Sequence, residues 1–228
     1  MFPRDVLAEA TLDAGRQLLG ARLVRDDPGA RRVGRIVEIE AYVGPEDLAS
    51  HARFGRTARN AVMFGPPGRA YVYLVYGLYE CLNVVTEPEG RPAALLVRAV
   101  EPIDGAALMR AARLQWVARR SDGTGRAEDR LRRLPEDRLA SGPGLVSVAF
   151  GITLADSGAD LCDPRAPIRL ERRAAGDRAP RVVTTGRIGI DYAPAPWRDR
   201  AWRLVDAGSP SVSGRGSERG RRPVDGTA

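Results

Sequence analysis

Glu38 and Glu40 lie two residues apart in Val37-Glu38-Ile39-Glu40-Ala41-Tyr42, a spacing that on a β-strand projects both carboxylates and Tyr42 from one face. Two strand carboxylates so placed stand about 6.5–7 Å apart, within the window of inverting glycosidases, where one carboxylate activates water beside an oxocarbenium-like centre. The same stretch continues through His51, Arg56 and Arg59 to Tyr71-Val72-Tyr73-Leu74-Val75-Tyr76-Gly77-Leu78-Tyr79 and Asn83. Five of the six tyrosines and the only histidine fall between Tyr42 and Tyr79. Flat π-faces stack on bases and a buried carboxylate activates water, so the cluster suits chemistry on a planar, base-like ligand.

Each of these residues also has a plainer reading. Glu-x-Glu alone describes a solvent-facing strand edge. His51 in a loop serves equally as a hydrogen-bonding scaffold or as a grip on a phosphate or base edge. Tyr71 and Tyr73 share one strand face, where tyrosine is a favoured core residue. Tyr76 lies opposite them by parity and just before Gly77, which suits a hairpin tip able to wedge a side chain between bases. Arg56 and Arg59 read as phosphate contacts or as loop salt bridges.

Composition narrows the chemistry. The net charge of +7 and pI near 10.2 favour a polyanionic partner, although all 36 basic residues are arginine, so part of the excess reflects compositional bias. Without lysine there is no side-chain amine for a Schiff base, which excludes lysine-based lyase or aldolase chemistry. Cys81 and Cys162 form no Cys-x-x-Cys pair, and one histidine excludes two-histidine metal sites. No spacing asks for a carboxylate-only magnesium site, and no cofactor or metal is expected. With no long apolar run and no leader pattern, the chain is expected to be soluble and cytoplasmic.

These residues need a scaffold. Apolar spacing predicts one helix over residues 5–19, then strands Ala21–Arg25 and Gly34–Tyr42 around the Asp26-Asp27-Pro28-Gly29 turn. Residues 44–68 read as a long functional loop with short helical pieces. Strands are predicted at Tyr71–Val75, Leu82–Thr86 and Ala93–Ala99, and a helix at Glu101–Arg120. Residues 119–138 read as a mobile charged excursion, and Ser141-Gly142-Pro143-Gly144 as a capped helix start whose free N–H groups could hold a phosphate. Further strands are predicted at Ile168–Glu171, Val182–Ile190 and Trp202–Val205. The expectation is a single α+β domain over residues 1–207, a curved, mainly antiparallel sheet with peripheral helices and a protruding hairpin. Residues 208–228, rich in Ser, Gly and Arg, read as a disordered tail.

The string from Glu38 to His51 (E-I-E-A-Y-x-G-P-E-D-x-A-S-H), then R-N-A-V-M-F-G-P-P-G and Y-V-Y-L-V-Y-G-L-Y-x-C-L-N, resembles the alkyladenine (3-methyladenine) DNA glycosylase family. The likeness continues through Leu95–Pro102, Ser141–Gly144 and Arg187–Ile190, spanning roughly residues 5–210. It implies base-excision repair: a damaged purine is flipped out of duplex DNA and its N-glycosidic bond is cut by water. By resemblance Glu40 is the general base, and Arg98 and the backbone carbonyl of Ile188 hold the water. Tyr42, His51 and Tyr73 sandwich the base, and Asn83 at the pocket floor obstructs guanine's amino group. Tyr76 is the intercalating residue that fills the gap in the duplex. Arg56, Arg59, Ser141 and Gly142 are the expected backbone contacts, and Glu38 matches the string without an assigned catalytic part.

The resemblance further implies a monomer acting on double-stranded DNA that carries alkylated or deaminated purines, associated with the nucleoid and not with membrane. The loop between His51 and Arg59 is slightly shorter than in some relatives, and Leu145 replaces a commonly basic residue. A catalytically idle damaged-DNA-binding protein is the alternative reading, against which Glu40 and Arg98 both argue. A carbohydrate hydrolase comes third, having no need of a wedge at Tyr76.

Overall fold

The computed structural model describes residues 1–121 and 123–214. Its sheet starts from a tight hairpin: β1 (Arg22–Asp27) turns at Pro28-Gly29 into β2 (Ala30–Val43), pairing from Asp27↔Ala30 to Arg22↔Arg35. β2 is long enough to serve three partners. Its first half pairs with β1, Glu38–Glu40 pair with β8 (Arg203–Asp206), and its other edge pairs with β5 (Ala93–Asp104) from Val33 to Val43. β3 (Ala70–Val75) and β4 (Tyr79–Val85) extend the sheet beyond β5, and β6 (Ile168–Glu171) extends it beyond β1. β7 (Val182–Thr185) adds to β8. All these pairings are antiparallel, giving an eight-stranded open sheet in an α+β fold.

Among the described residues five α-helices flank the sheet: α1 (Arg4–Leu7), α2 (Thr11–Leu18), α3 (Ala106–Ala118), α4 (Arg126–Arg132) and α5 (Pro143–Phe150). Strand alternation points Ile39 and Ala41 of β2, Leu95 and Val97 of β5, and Leu82 and Val84 of β4 into one core. Leu7, Leu18, Val146 and Phe150 cover it from the helices. Fully burying each such side chain contributes about 1.5–3 kcal/mol, so this layer fixes the strands that carry the polar residues.

Several expectations need correction. The helix over 5–19 is two helices, because Thr11 is anchored by tertiary bonds: its N–H and hydroxyl donate to buried Glu87 at 3.2 and 2.5 Å. The helix expected from Glu101 starts at Ala106, since β2 offers partners as far as Asp104 and Gly105 (φ 75°) then turns the chain. Residues 119–138 are no mere excursion. Leu131 is buried, and Arg110 donates to the carbonyls of Leu131 and Leu134, both at 2.8 Å. β7 stops at Thr185 because β8 ends there with Arg203, leaving residues 186–190 as a loop. Residues 208–214 are not a loose tail: Ser209, Ser211, Val212 and Ser213 are buried. Hydrogen bonds from Ser209 and Ser213, with Val212 packed in a cluster with Val37, Ala99 and Val205, hold them, which composition could not show. The rest of the expected tail, 215–228, lies outside the described residues.

Candidate active site

The two carboxylates are buried, not solvent-facing: Glu38 and Glu40 are both 0% exposed. Strand parity places them on one face, and an irregularity in the β2–β5 pairing brings a cation to them. Glu38 pairs with Ala99 and Ile39 with Val97, so Arg98 between them has no cross-strand partner. Such bulges re-aim side chains. Arg98 donates from Nε to Glu38 Oε1 at 3.0 Å and from Nη1 to Glu40 Oε2 at 3.1 Å. Burial opposes its charge, but Glu40 and Glu38 outweigh that and raise its pKa.

Glu40 receives two more hydrogen bonds. The Tyr42 hydroxyl donates to Oε2 at 3.0 Å and the Ile188 N–H to Oε1 at 2.7 Å. Desolvation, and then the Glu40 charge, push the Tyr42 pKa well up, so this hydroxyl keeps its proton. Oε1 accepts from one group only among the described residues, and a carboxylate oxygen can accept from two. Ile188 was expected to act through its carbonyl; the contact in the structure is made by its N–H.

In front of this layer lies a cavity of about 670 Å³, lined by Tyr42, Arg98 and Ile188, the three partners of Glu40. Its size is that of a small-molecule site. β3 and β4 form the opposite wall, where Tyr71↔Asn83 and Tyr73↔Cys81 are cross-strand pairs. The rings of Tyr71 and Tyr73 stack at 5.4 Å, and His51 meets Tyr73 edge-on at 4.5 Å. His51 Nδ1 is 3.0 Å from the Tyr71 hydroxyl. Desolvation, with Arg59 and Arg53 nearby, lowers the His51 pKa to about 4, so the ring is neutral at pH 7. Burial pushes Tyr71 up to about 12, so its hydroxyl keeps its proton, and the direction of its bond to Nδ1 follows the histidine tautomer. The Asn83 amide donates to the carbonyls of Tyr71 and Cys81 at 3.0 and 3.3 Å, which pins the side chain at the floor.

At the mouth, Tyr76 and Gly77 make the β3–β4 turn with φ of 52° and 67°, and the Leu78 N–H closes onto the Val75 carbonyl at 2.9 Å. Tyr76 is 92% exposed. A non-glycine residue at positive φ costs on the order of 1 kcal/mol, and here it is held on an exposed tip. Arg56 and Arg59 form no ion pair among the described residues; they rest over the rings of Phe64 and Tyr73 at 5.9 and 5.6 Å. The salt-bridge reading of the two is thus set aside. The expected free N–H at Ser141-Gly142 is also corrected. The Gly142 N–H donates to the Arg98 carbonyl at 2.9 Å, which ties the start of α5 to the arginine strand. Gly142 is the N-cap and Pro143 opens the helix, and the buried Ser141 hydroxyl has no partner among the described residues.

Sequence reasoning missed several residues of the site. Tyr192 and Cys81 line the cavity, and burial pushes the Cys81 thiol up to about 12. Arg187 lies 4.8 Å from the Tyr42 ring and binds Asp47 through both amino groups, at 2.5 and 2.9 Å. It therefore fixes the back of Tyr42. Arg187 stands in the string that carries the family likeness, but no local spacing pointed to its bond with Asp47 or its place beside Tyr42. Among the described residues no three His, Cys, Asp or Glu side chains are grouped to hold a metal ion, and no helix is long and apolar enough to cross a membrane.

An aromatic pocket backed by a carboxylate and an arginine is the equipment of a DNA glycosylase, and the model of the family described as Methylpurine-DNA glycosylase (MPG) matches residues 5–210. The chain belongs to that family, whose enzymes hydrolyse N-glycosyl bonds in DNA. A protein of Methanocella arvoryzae is 45% identical over 215 residues, covering 94% of this chain and 96% of its own. One of Myxococcus xanthus is 42% identical over 223 residues, 97% of each chain. One of Anaeromyxobacter dehalogenans is 44% identical over 213 residues, 93% of this chain and 85% of its own. All three carry the name "Putative 3-methyladenine DNA glycosylase".

Proposed function

We propose that this glycosylase flips alkylated or deaminated purines out of duplex DNA and hydrolyses the N-glycosidic bond with a water activated by Glu40. The observation that carries this is Glu40 itself. It is a buried carboxylate whose three donors, Arg98, Tyr42 and Ile188, all line an aromatic cavity. In the reaction the water oxygen bonds to C1′ and its proton passes to Glu40, whose Oε1 has acceptor capacity left. The C–N bond breaks and its electron pair leaves with the base. Arg98, bonded to Oε2, orients Glu40 before the attack.

Tyr42 on one side, with His51 and Tyr73 on the other, stack on the extruded purine. Extrusion costs a few kcal/mol, and each aromatic face returns about 1–3 kcal/mol. A purine alkylated at N3 or N7 is cationic and a good leaving group, and tyrosine faces attract it further. Neutral lesions such as hypoxanthine need protonation of the base. Asn83, with both its amide bonds committed to backbone carbonyls, cannot move aside for guanine's amino group. Tyr76 occupies the gap in the duplex, and Arg56 and Arg59 leave their ring contacts for phosphates. With no lysine in the chain, turnover ends at an abasic site with the strand uncut. The enzyme works as a monomer at the cytoplasmic nucleoid.

The test is incubation with duplexes carrying one hypoxanthine, ethenoadenine or methylpurine, followed by abasic-site detection with and without alkaline strand cleavage. Base release with strands intact until alkali is the expected result. Tight lesion binding with no release from any duplex would identify an idle binder instead.

A further inference from the structure

Beyond β8 the chain crosses back over the buried carboxylates. Glu38 accepts from Arg98 Nε at 3.0 Å, Arg203 Nε at 2.7 Å and the Ser213 hydroxyl at 2.9 Å, all on Oε1. Its Oε2 accepts the Ser213 N–H at 2.6 Å. Donors from β5, from β8 and from the segment after β8 thus converge on one fully buried side chain. Ser213, 175 residues away in sequence, supplies two of the four bonds.

We propose that Glu38, fastened by Ser213, is a positioning residue for the hydrolysis: it holds the Arg98 guanidinium in the plane from which Arg98 braces Glu40. This rests on the reading of Glu40 as the base. The guanidinium is a rigid planar fork, and here its Nε and Nη1 are each tied to a different glutamate. Two anchors fix the plane. Without the Glu38 anchor, the fork turns about its Cδ–Nε bond and Nη1 leaves Glu40. Charge closes the same unit, since Glu38 and Glu40 are matched by Arg98 and Arg203, all four at most 8% exposed. Buried charges persist when so paired. Ser213 adds no charge; it fixes the Glu38 rotamer, and through it the arginine. The segment that composition assigned to a tail therefore completes the catalytic centre from behind, out of reach of DNA.

The experiment is single-turnover excision beside lesion-duplex affinity, on the hypoxanthine or ethenoadenine duplex that the full-length wild-type protein cleaves. Glu38→Gln keeps the shape and removes the charge. Its rate is expected to fall about 10²-fold, the cost of an ångström-scale misplacement, with the lesion Kd unchanged. Ser213→Ala removes one hydrogen bond to a charged group and is expected to lose about tenfold in rate, again with Kd unchanged. Should Glu38→Gln not fold, Ser213→Ala decides alone. Wild-type rate in Ser213→Ala overturns the proposal, as does a rate loss accompanied by an equal loss of lesion affinity, which is what general loosening would give. Undiminished excision in the variants sinks only the positioning role, whereas no excision by the wild type sinks the proposed function and this role with it.

Discussion

Behind the pocket lining, Glu38 and Glu40 are buried against Arg98, which is 8% exposed and lines the cavity, and every charge meets at least two partners. At its mouth Tyr76 is 92% and Phe54 75% exposed, and Arg56 and Arg59 lean on aromatic rings instead of carboxylates. The inner groups cannot turn without stranding a buried charge, so their geometry exists before any ligand arrives. The outer groups have fewer bonds to surrender when they move, the Arg59 bond to the Leu74 carbonyl at 2.9 Å and ring contacts among them, and their charges await an external partner. A preorganised floor lowers a barrier, whereas an unsatisfied rim gains affinity. Substitutions in the two regions should therefore fail in different assays.

Glu40→Gln gives the largest expected effect. The rate of base release should fall by about 10³-fold, within the range assigned to a positioned general base. Lesion-duplex affinity should stay within a few-fold of wild type, because the stacking wall is untouched. Gln also sets an amide N–H₂ against the donors of Arg98 or Ile188, so stability should drop by about 1–3 kcal/mol in urea unfolding. Undiminished turnover would remove Glu40 as the base. An equal loss of affinity would erase the division between floor and rim.

The two regions were unequally legible in the sequence. Period-two alternation was enough to place Glu38, Glu40 and Tyr42 together, and Tyr76-Gly77 marked its own turn, because both signals are local. The arrival of Arg98 was not legible from spacing, since it depends on a skipped partner between Val97 and Ala99 that only the paired strand reveals. Arg187 reaches Asp47 across 140 residues and Ser213 reaches Glu38 across 175. Neither contact follows from spacing in its own neighbourhood, although Arg187 stands in a string that carries the family likeness. The start of α3 failed for a related reason: the length of β2, not the apolar spacing after Glu101, decides how far β5 runs. What propensity and parity reach is the rim and the faces of strands; what they miss is the network that ties the floor together.

Tyr76→Ala tests the rim by itself. The side chain touches solvent almost entirely, so folding stability should change by no more than about 0.5 kcal/mol. Lesion-duplex binding should weaken by about 1–3 kcal/mol, the worth of one stacked aromatic, with less flipping seen in 2-aminopurine fluorescence beside the lesion. Base release at saturating enzyme should fall far less than in Glu40→Gln. Unchanged affinity would withdraw the wedge assignment. A large loss of stability would mean that the tip belongs with the floor after all.

The smallest effect comes from the residue between the two regions. His51 is part-buried, and its pKa is lowered from the ordinary 6.5 to about 4 by desolvation and by Arg59 and Arg53. An unfolded chain takes up the histidine proton near pH 6.5, whereas the folded one refuses it until about pH 4. Within that window the unfolded state binds more protons, so stability falls as pH drops from about 6.5 towards 4, and is full above 6.5. His51 is the only histidine in the chain, which makes the upper part of the window, above the range of ordinary carboxylates, its own. Urea unfolding at pH 7 and pH 5 should show the loss in the wild type and a flatter response in His51→Gln. The same slope in both proteins would show that His51 titrates like an exposed group, and would place it with the rim.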